Sequence, residues 1–166
     1  IRDETAWANG GVAVASENEW YKAAYYQPVG AGGDTDSYWL YPTASNSITT
    51  ADANYANSVG TVTDVGTYSS DNSYYGTFDQ GGNLLEWNDE ILSTSLRGLR
   101  GGSFEDGDLD LKSSLRGDEG PTIEDSAIGF RVSSLAPIPE PSAYAAILGC
   151  LGLGLALTRR KRRGTL

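Results

Sequence analysis

The chain has no histidine and no methionine, and its single cysteine, Cys150, sits in an apolar stretch near the C-terminus. Everything before that stretch is therefore without thiolate, imidazole or disulfide. The usual zinc ligand sets and any Cys–His nucleophile are excluded from it. Basic residues are scarce too: 12 Lys and Arg stand against 22 Asp and Glu, a formal net charge of −10. Five of the twelve are Arg159, Arg160, Lys161, Arg162 and Arg163, which leaves seven against 22 before them, a net of −15. Such a body is repelled by nucleic acid and by anionic membrane surfaces, and it suits cations or an extracellular setting. With Ile1 at its start, the chain reads as a fragment or a processed product, without a visible secretory signal.

What is present is glycine and aromatic: 21 Gly, 10 Tyr and 4 Trp in 166 residues. That length predicts one domain with accessory segments, and that mix predicts a loop-rich fold pinned by aromatic anchors. The densest stretch is GTFDQGGNLLEWNDE, Gly76 to Glu90. Gly81-Gly82 permits backbone angles closed to other residues. Asp79, Asn83, Glu86, Asn88, Asp89 and Glu90 supply oxygens, while Phe78, Leu84, Leu85 and Trp87 supply apolar anchors. The pattern predicts a compact turn with oxygens turned inward, where they need hydrogen-bond donors or a hard cation. An acidic loop beside a short buried strand is the plainer alternative.

Elsewhere, residues 1–15 read as loop followed by a short strand over Val12–Ala15. Ser16 and Glu19 have capping-box spacing, which predicts a helix running to about Tyr26 and stopped by Pro28 and the glycines of 30–33. Residues 27–75 read as irregular, with a weakly alternating strand over Val59–Tyr68. Leu99 and Phe104 flank Arg100-Gly101-Gly102-Ser103, a strand interrupted by a close backbone approach. Asp106, Asp108 and Asp110 alternate like an EF-hand loop, but the sixth position is Leu111 and the twelfth Gly117, so that reading fails. The segment reads instead as a solvated loop entering a strand over Leu111–Arg116, with a last strand over Ala127–Val132.

After Pro137-Ile-Pro-Glu-Pro141 come Ala143–Leu157, apolar and uncharged, and then the five cations. Fifteen helical residues span ~22 Å against a hydrocarbon core of ~30 Å, so flanking residues must complete a span. The basic cluster would hold its end on the cytoplasmic side.

Two resemblances follow from these motifs. The tail resembles a PEP-CTERM sorting signal: the triplet Pro139, Glu140, Pro141, a short apolar helix and the basic end Arg159, Arg160, Lys161, Arg162, Arg163. That likeness implies export in a Gram-negative bacterium, transient inner-membrane anchoring through residues 143–157, processing by an exosortase, and a cell-surface or extracellular location near polysaccharide. The body resembles the formylglycine-generating, or sulfatase-modifying-factor, family. SENEWYKAAYY, YWLYPT, ADANYANSVG, DVGTY, FDQGGNLLEWNDE, LRGGSF and IGFRV occur in the family's order. The likeness implies an α+β, irregular, loop-rich, C-type-lectin-like domain over residues 1–134 that lacks the family's N-terminal portion. A Pro-rich linker over 135–141 and a transmembrane sorting tail over 142–166, a single hydrophobic helix, complete the chain.

The family's catalyst holds copper with two cysteines shortly after the Gly-Gly-Ser-aromatic motif; other branches hold iron with histidine. Here that region is Glu105–Leu111, without Cys, and carboxylates favour harder ions than copper. Formylglycine generation is therefore rejected, and no copper is expected. By resemblance, structural calcium would be held by Asp79, the carbonyls of Gly82 and Leu84, and Glu86; alternatively Glu86 pairs with Arg97, Arg100 or Arg131. A second calcium set would use Asn54 and the Tyr55 carbonyl, although no matching Asp follows. The expected role is that of a non-catalytic interaction or scaffold protein contacting polysaccharide or protein. The alternatives are a metal-dependent, oxidoreductase-like enzyme of the same family with its catalytic residues in the missing N-terminal part, and a spacer without a ligand.

Overall fold

The computed structural model describes residues 3–135; the expected sorting triplet, apolar helix and basic end lie outside them. Among the described residues no helix is long and apolar enough to cross a membrane. The fold is α+β and loop-rich. Its elements are α1 (Glu4–Ala8), β1 (Ala13–Val14), α2 (Glu17–Tyr25), β2 (Leu85–Ser93), β3 (Leu96–Arg100), β4 (Gly117–Glu119), β5 (Ile128–Phe130) and β6 (Val132–Ser133), with short 3-10 turns at Val29–Ala31 and Asp108–Leu111. One sheet has the order β4-β3-β2-β5, antiparallel except for the parallel β2–β5 pair; β1 and β6 form a separate antiparallel ribbon.

The helix expected at Ser16 forms as a capping box. The Glu19 amide donates to Ser16 Oγ (3.2 Å) and the Ser16 amide to Glu19 Oε2 (2.8 Å), satisfying two of the four donors a helix start leaves open. α2 buries Trp20, Ala24 and Tyr25 against Ala15. A second cluster of Tyr41, Ala53, Tyr55 and Leu111 forms under the long loops. The Tyr25 hydroxyl joins the two by donating to the Leu111 carbonyl at 3.1 Å.

Several expectations are corrected. The N-terminal loop contains α1, because Asp3 Oδ1 accepts from the Thr5 and Ala6 amides and caps a helical turn. Residues 59–68 form no strand: Asn83 Oδ1 takes the Thr63 amide and Asp79 Oδ2 the Gly66 amide, so side chains rather than a ladder satisfy this backbone. Leu111 ends a 3-10 turn instead of opening a strand, and pairing starts only at Gly117. The last strand divides at Arg131. Ile128–Phe130 pairs with β2, and Val132–Ser133 crosses to β1.

Candidate functional site

The stretch from Phe78 to Asn88 is the hub. Asp79 (φ 55°), Gly82 (φ 74°) and Asn83 (φ 61°) all take left-handed backbone conformations. Gly82 is required: a Cβ there would stand 2.3 Å from the Asn54 carbonyl oxygen. The Asn83 amide donates to that same carbonyl (2.7 Å), and the Gly82 amide to the Gly101 carbonyl (2.9 Å). The turn thus locks 54, 82 and 101 together and launches β2, the longest strand among the described residues, with Glu86 and Asn88 buried.

Glu86 is 7% exposed and its carboxylate is fully engaged. Trp20 Nε1 and Arg131 Nε each donate to Oε2 at 2.6 Å, and Arg131 Nη2 donates to Oε1 at 2.6 Å. Arg131 Nη2 also donates to the Phe78 carbonyl at 3.2 Å. The guanidinium neutralises the buried charge, and the two-pronged geometry is the strong form of this pair. The split between β5 and β6 falls at Arg131. The neighbouring arginines are committed elsewhere. Arg100 binds Glu17 Oε1 (2.6 Å) and the carbonyls of Ser113 and Leu115; Arg97 turns to the carbonyls of Ser93 and Leu96.

These contacts test the calcium set. Glu86 has no oxygen left that does not already meet an N–H, and a cation on it would stand beside Arg131. Asp79 spends Oδ2 on the Gly66 amide at 2.8 Å. The set centred on Glu86 therefore does not fit a divalent cation while Arg131 is in place. Asn54 is different. It is 1% exposed, and its Nδ2 donates to the Thr61 carbonyl (2.8 Å) and to Asn83 Oδ1 (3.2 Å), which fixes the amide orientation. Its Oδ1 is buried without a partner. An orphaned carbonyl-type oxygen is a donor that calcium accepts. The Tyr55 carbonyl, its expected companion, takes the Ser58 amide at 3.0 Å.

The segment after Gly101-Gly102-Ser103 closes on itself. Asp106 Oδ2 accepts from the Ser103 amide (2.8 Å) and hydroxyl (2.7 Å), Asp110 Oδ2 accepts from the Gly107 amide (3.1 Å), and Tyr41 donates to Asp108 Oδ2 (3.2 Å). Leu111 is fully buried. The acidic run that reads as a solvated loop is a series of turns capped by its own carboxylates. Burial, and then Asp108, raise the phenols of Tyr41 and Tyr55 above their ordinary range. Among the described residues no three Asp, Glu, Cys or His side chains are grouped to hold a metal.

Residues 3–135 match the family model described as the sulfatase-modifying factor enzyme 1-like domain. The chain belongs to that family. The likeness read from the ordered motifs is thereby established for the body of the chain. No curated protein matches the sequence. Similar solved structures include Treponema denticola variable protein 1 (24% identity, TM-score 0.58, 74% of this chain and 47% of that one) and CarF (24%, 0.59, 76% and 49%). PvdO from Pseudomonas aeruginosa is a third (19%, 0.54, 75% and 52%). At these identities the likeness bears on the fold. The chain spans about half the length of each of these structures. Within the sulfatase-modifying-factor domain, the residues that sequence reasoning missed are Trp20 as a donor to Glu86 and Gln80, which donates to the Trp20 carbonyl at 3.1 Å. Both lie far in sequence from the groups they bind, so no local signal reveals them.

Proposed function

We propose that this domain is a non-catalytic interaction scaffold, exported and sorted to the cell surface or extracellular matrix by way of its tail. The observation that carries the reading is the filled position after Ser103. Where family catalysis needs two thiolates, Asp106, Asp108 and Asp110 are consumed in capping turns and receiving the Tyr41 hydroxyl, and Leu111 is core. Hard carboxylates bound to N–H and O–H donors do not make a copper site. The alternative, an enzyme completed by residues outside this chain, would need its reacting groups to come wholly from there. The test is to incubate the full chain, with copper and then with iron, alongside a cysteine-containing peptide and to weigh the product. The scaffold reading predicts unchanged peptide mass. Conversion of the cysteine to an aldehyde would overturn it.

The sorting part rests on the Pro139-Glu140-Pro141 triplet, the apolar 143–157 and the basic end. In this reading an exosortase processes the chain at the inner membrane of a Gram-negative cell and releases it to the surface or matrix. Replacing Arg159, Arg160, Lys161, Arg162 and Arg163 by neutral residues should stop processing, seen as loss of the shortened form in cell fractions. Normal processing of that variant would exclude the tail as a sorting signal.

Structural calcium is the second reading, favoured by one observation, the unpartnered Asn54 Oδ1. Asn54 and the Tyr55 carbonyl would then form the site. The set of Asp79, Gly82, Leu84 and Glu86 can bind calcium only if Arg131 releases Glu86. Calcium binding abolished by Asn54→Ala but kept in Glu86→Gln would support this reading, and no binding in the unaltered chain would remove it.

A further inference from the structure

Six tyrosine rings form one continuous row across three chain segments. Tyr25 meets Tyr21 (centroids 5.0 Å), Tyr21 meets Tyr38 (5.5 Å), Tyr38 meets Tyr26 (5.3 Å), Tyr26 stacks on Tyr75 (6.4 Å, 17° between planes), and Tyr75 meets Tyr74 (5.3 Å). Only Tyr25, at the root, is buried; Tyr38, Tyr74 and Tyr75 are 36%, 45% and 48% exposed. Among the described residues, tyrosine hydroxyls bond protein atoms at Tyr25, Tyr41 and Tyr55, so the five outer hydroxyls of the row remain available to a partner.

The row is pre-built. Tyr38 is bridged to Tyr26, with the Gln27 amide on the Ser37 carbonyl and the Trp39 amide on the Tyr25 carbonyl, each at 2.9 Å. The turn carrying Tyr74 and Tyr75 is closed by the Gly76 amide on the Ser73 carbonyl (2.9 Å) and tied to α2 by Thr77 Oγ1 on the Ala23 carbonyl (3.4 Å). Rings held this way lose little freedom on binding, and Tyr combines an apolar face with a polar tip. Lys22 Nζ already covers Tyr26 at 5.3 Å, and Arg100 covers Tyr21 at 5.0 Å.

We infer that this row is a binding track for a neutral polysaccharide. The spacing between successive rings is about that of one sugar ring, and a sugar presents the same combination of a C–H face and a hydroxyl edge. The same rings would stack bases, but a body of net charge −15 repels nucleic acid and acidic glycans alike. A row one ring wide suits a linear polymer, whereas a stable protein interface spreads over about 800 Å² per partner. The inference gives the proposed scaffold its ligand class and rests on that reading.

The test is affinity electrophoresis of the full chain, in a detergent without sugar head groups, through gels containing dextran, hydroxyethylcellulose or galactomannan. At least one gel should retard the unaltered chain relative to plain polyacrylamide. The Tyr74→Ala/Tyr75→Ala variant should lose that retardation by at least about tenfold in affinity, with an unchanged melting temperature because both rings are half-exposed. Mobility unaltered in all three gels, as a row serving a protein partner would give, overturns the inference. Retardation surviving in the double variant does so too. Neither result bears on the cysteine-peptide or fractionation tests, so the scaffold and sorting readings stand or fall separately.

Discussion

At the residue scale the decisive group is the Glu86 carboxylate. From sequence, its burial and its need for either donors or a cation were both readable; which of the two it takes was not, because Trp20 and Arg131 lie 66 and 45 positions away. Removing one partner of a buried pair strands the other. Arg131→Ala should therefore cost about 3 kcal/mol, near the low end for such pairs because its side chain keeps 23% exposure. Denaturant unfolding reads this directly. Trp20→Ala should cost as much or more, about 3–5 kcal/mol, since it removes a fully buried ring as well as a donor. The buried phenols give a pH dependence. Burial drives the Tyr25 hydroxyl far above its ordinary range, and Tyr41 and Tyr55 rise for the same leading cause. Groups whose folded value lies above the unfolded one stabilise fully below the unfolded value, about 10 for Tyr, and lose that contribution as pH climbs toward the folded value. Stability should thus fall above pH of about 10. Spectroscopic titration should show the Tyr25 phenol ionising only as the domain unfolds.

At the scale of elements, α2 was readable because its signals are local: the cap at Ser16, the partner at Glu19 and the stop at Pro28. Ser16→Ala should lower stability by about 1 kcal/mol, measurable as a shift in denaturant midpoint at constant slope. β2 was foreshadowed by its apolar anchors. Its length was not, because β2 draws on β3, β5 and, through the bulge after Trp87, the Ala15 carbonyl that receives the Asp89 amide. The two failed strands have their backbone groups engaged elsewhere. In 59–68 side-chain acceptors such as Asn83 Oδ1 take the amides, and in 111–116 the Ser113 amide meets the Leu40 carbonyl while Arg100 takes the Ser113 and Leu115 carbonyls. The close approach expected at the paired glycines is real. A Cβ on Gly101 (φ 99°) would stand 2.6 Å from the Gln80 carbonyl oxygen, so Gly101→Ala should destabilise by more than about 1 kcal/mol, read as a lower melting temperature.

At the scale of the molecule, four distant segments of this sulfatase-modifying-factor domain converge on one turn. Asn54, Gly101, Trp20 and Arg131 come from four distant segments and meet at residues 78–86. The order of motifs was readable along the chain, and with it the family. The convergence was not, because it is a property of the closed fold. Arg131 clamps this hub through both oxygens of the Glu86 carboxylate. The most direct measurement is thermal unfolding of the full chain in excess calcium and again after chelation, with Arg131→Ala beside it. Clamping by the ion pair predicts that Arg131→Ala melts below the unaltered chain both in excess calcium and after chelation. A melting temperature that drops on chelation and returns with calcium, with Arg131→Ala no worse than the parent, would contradict it.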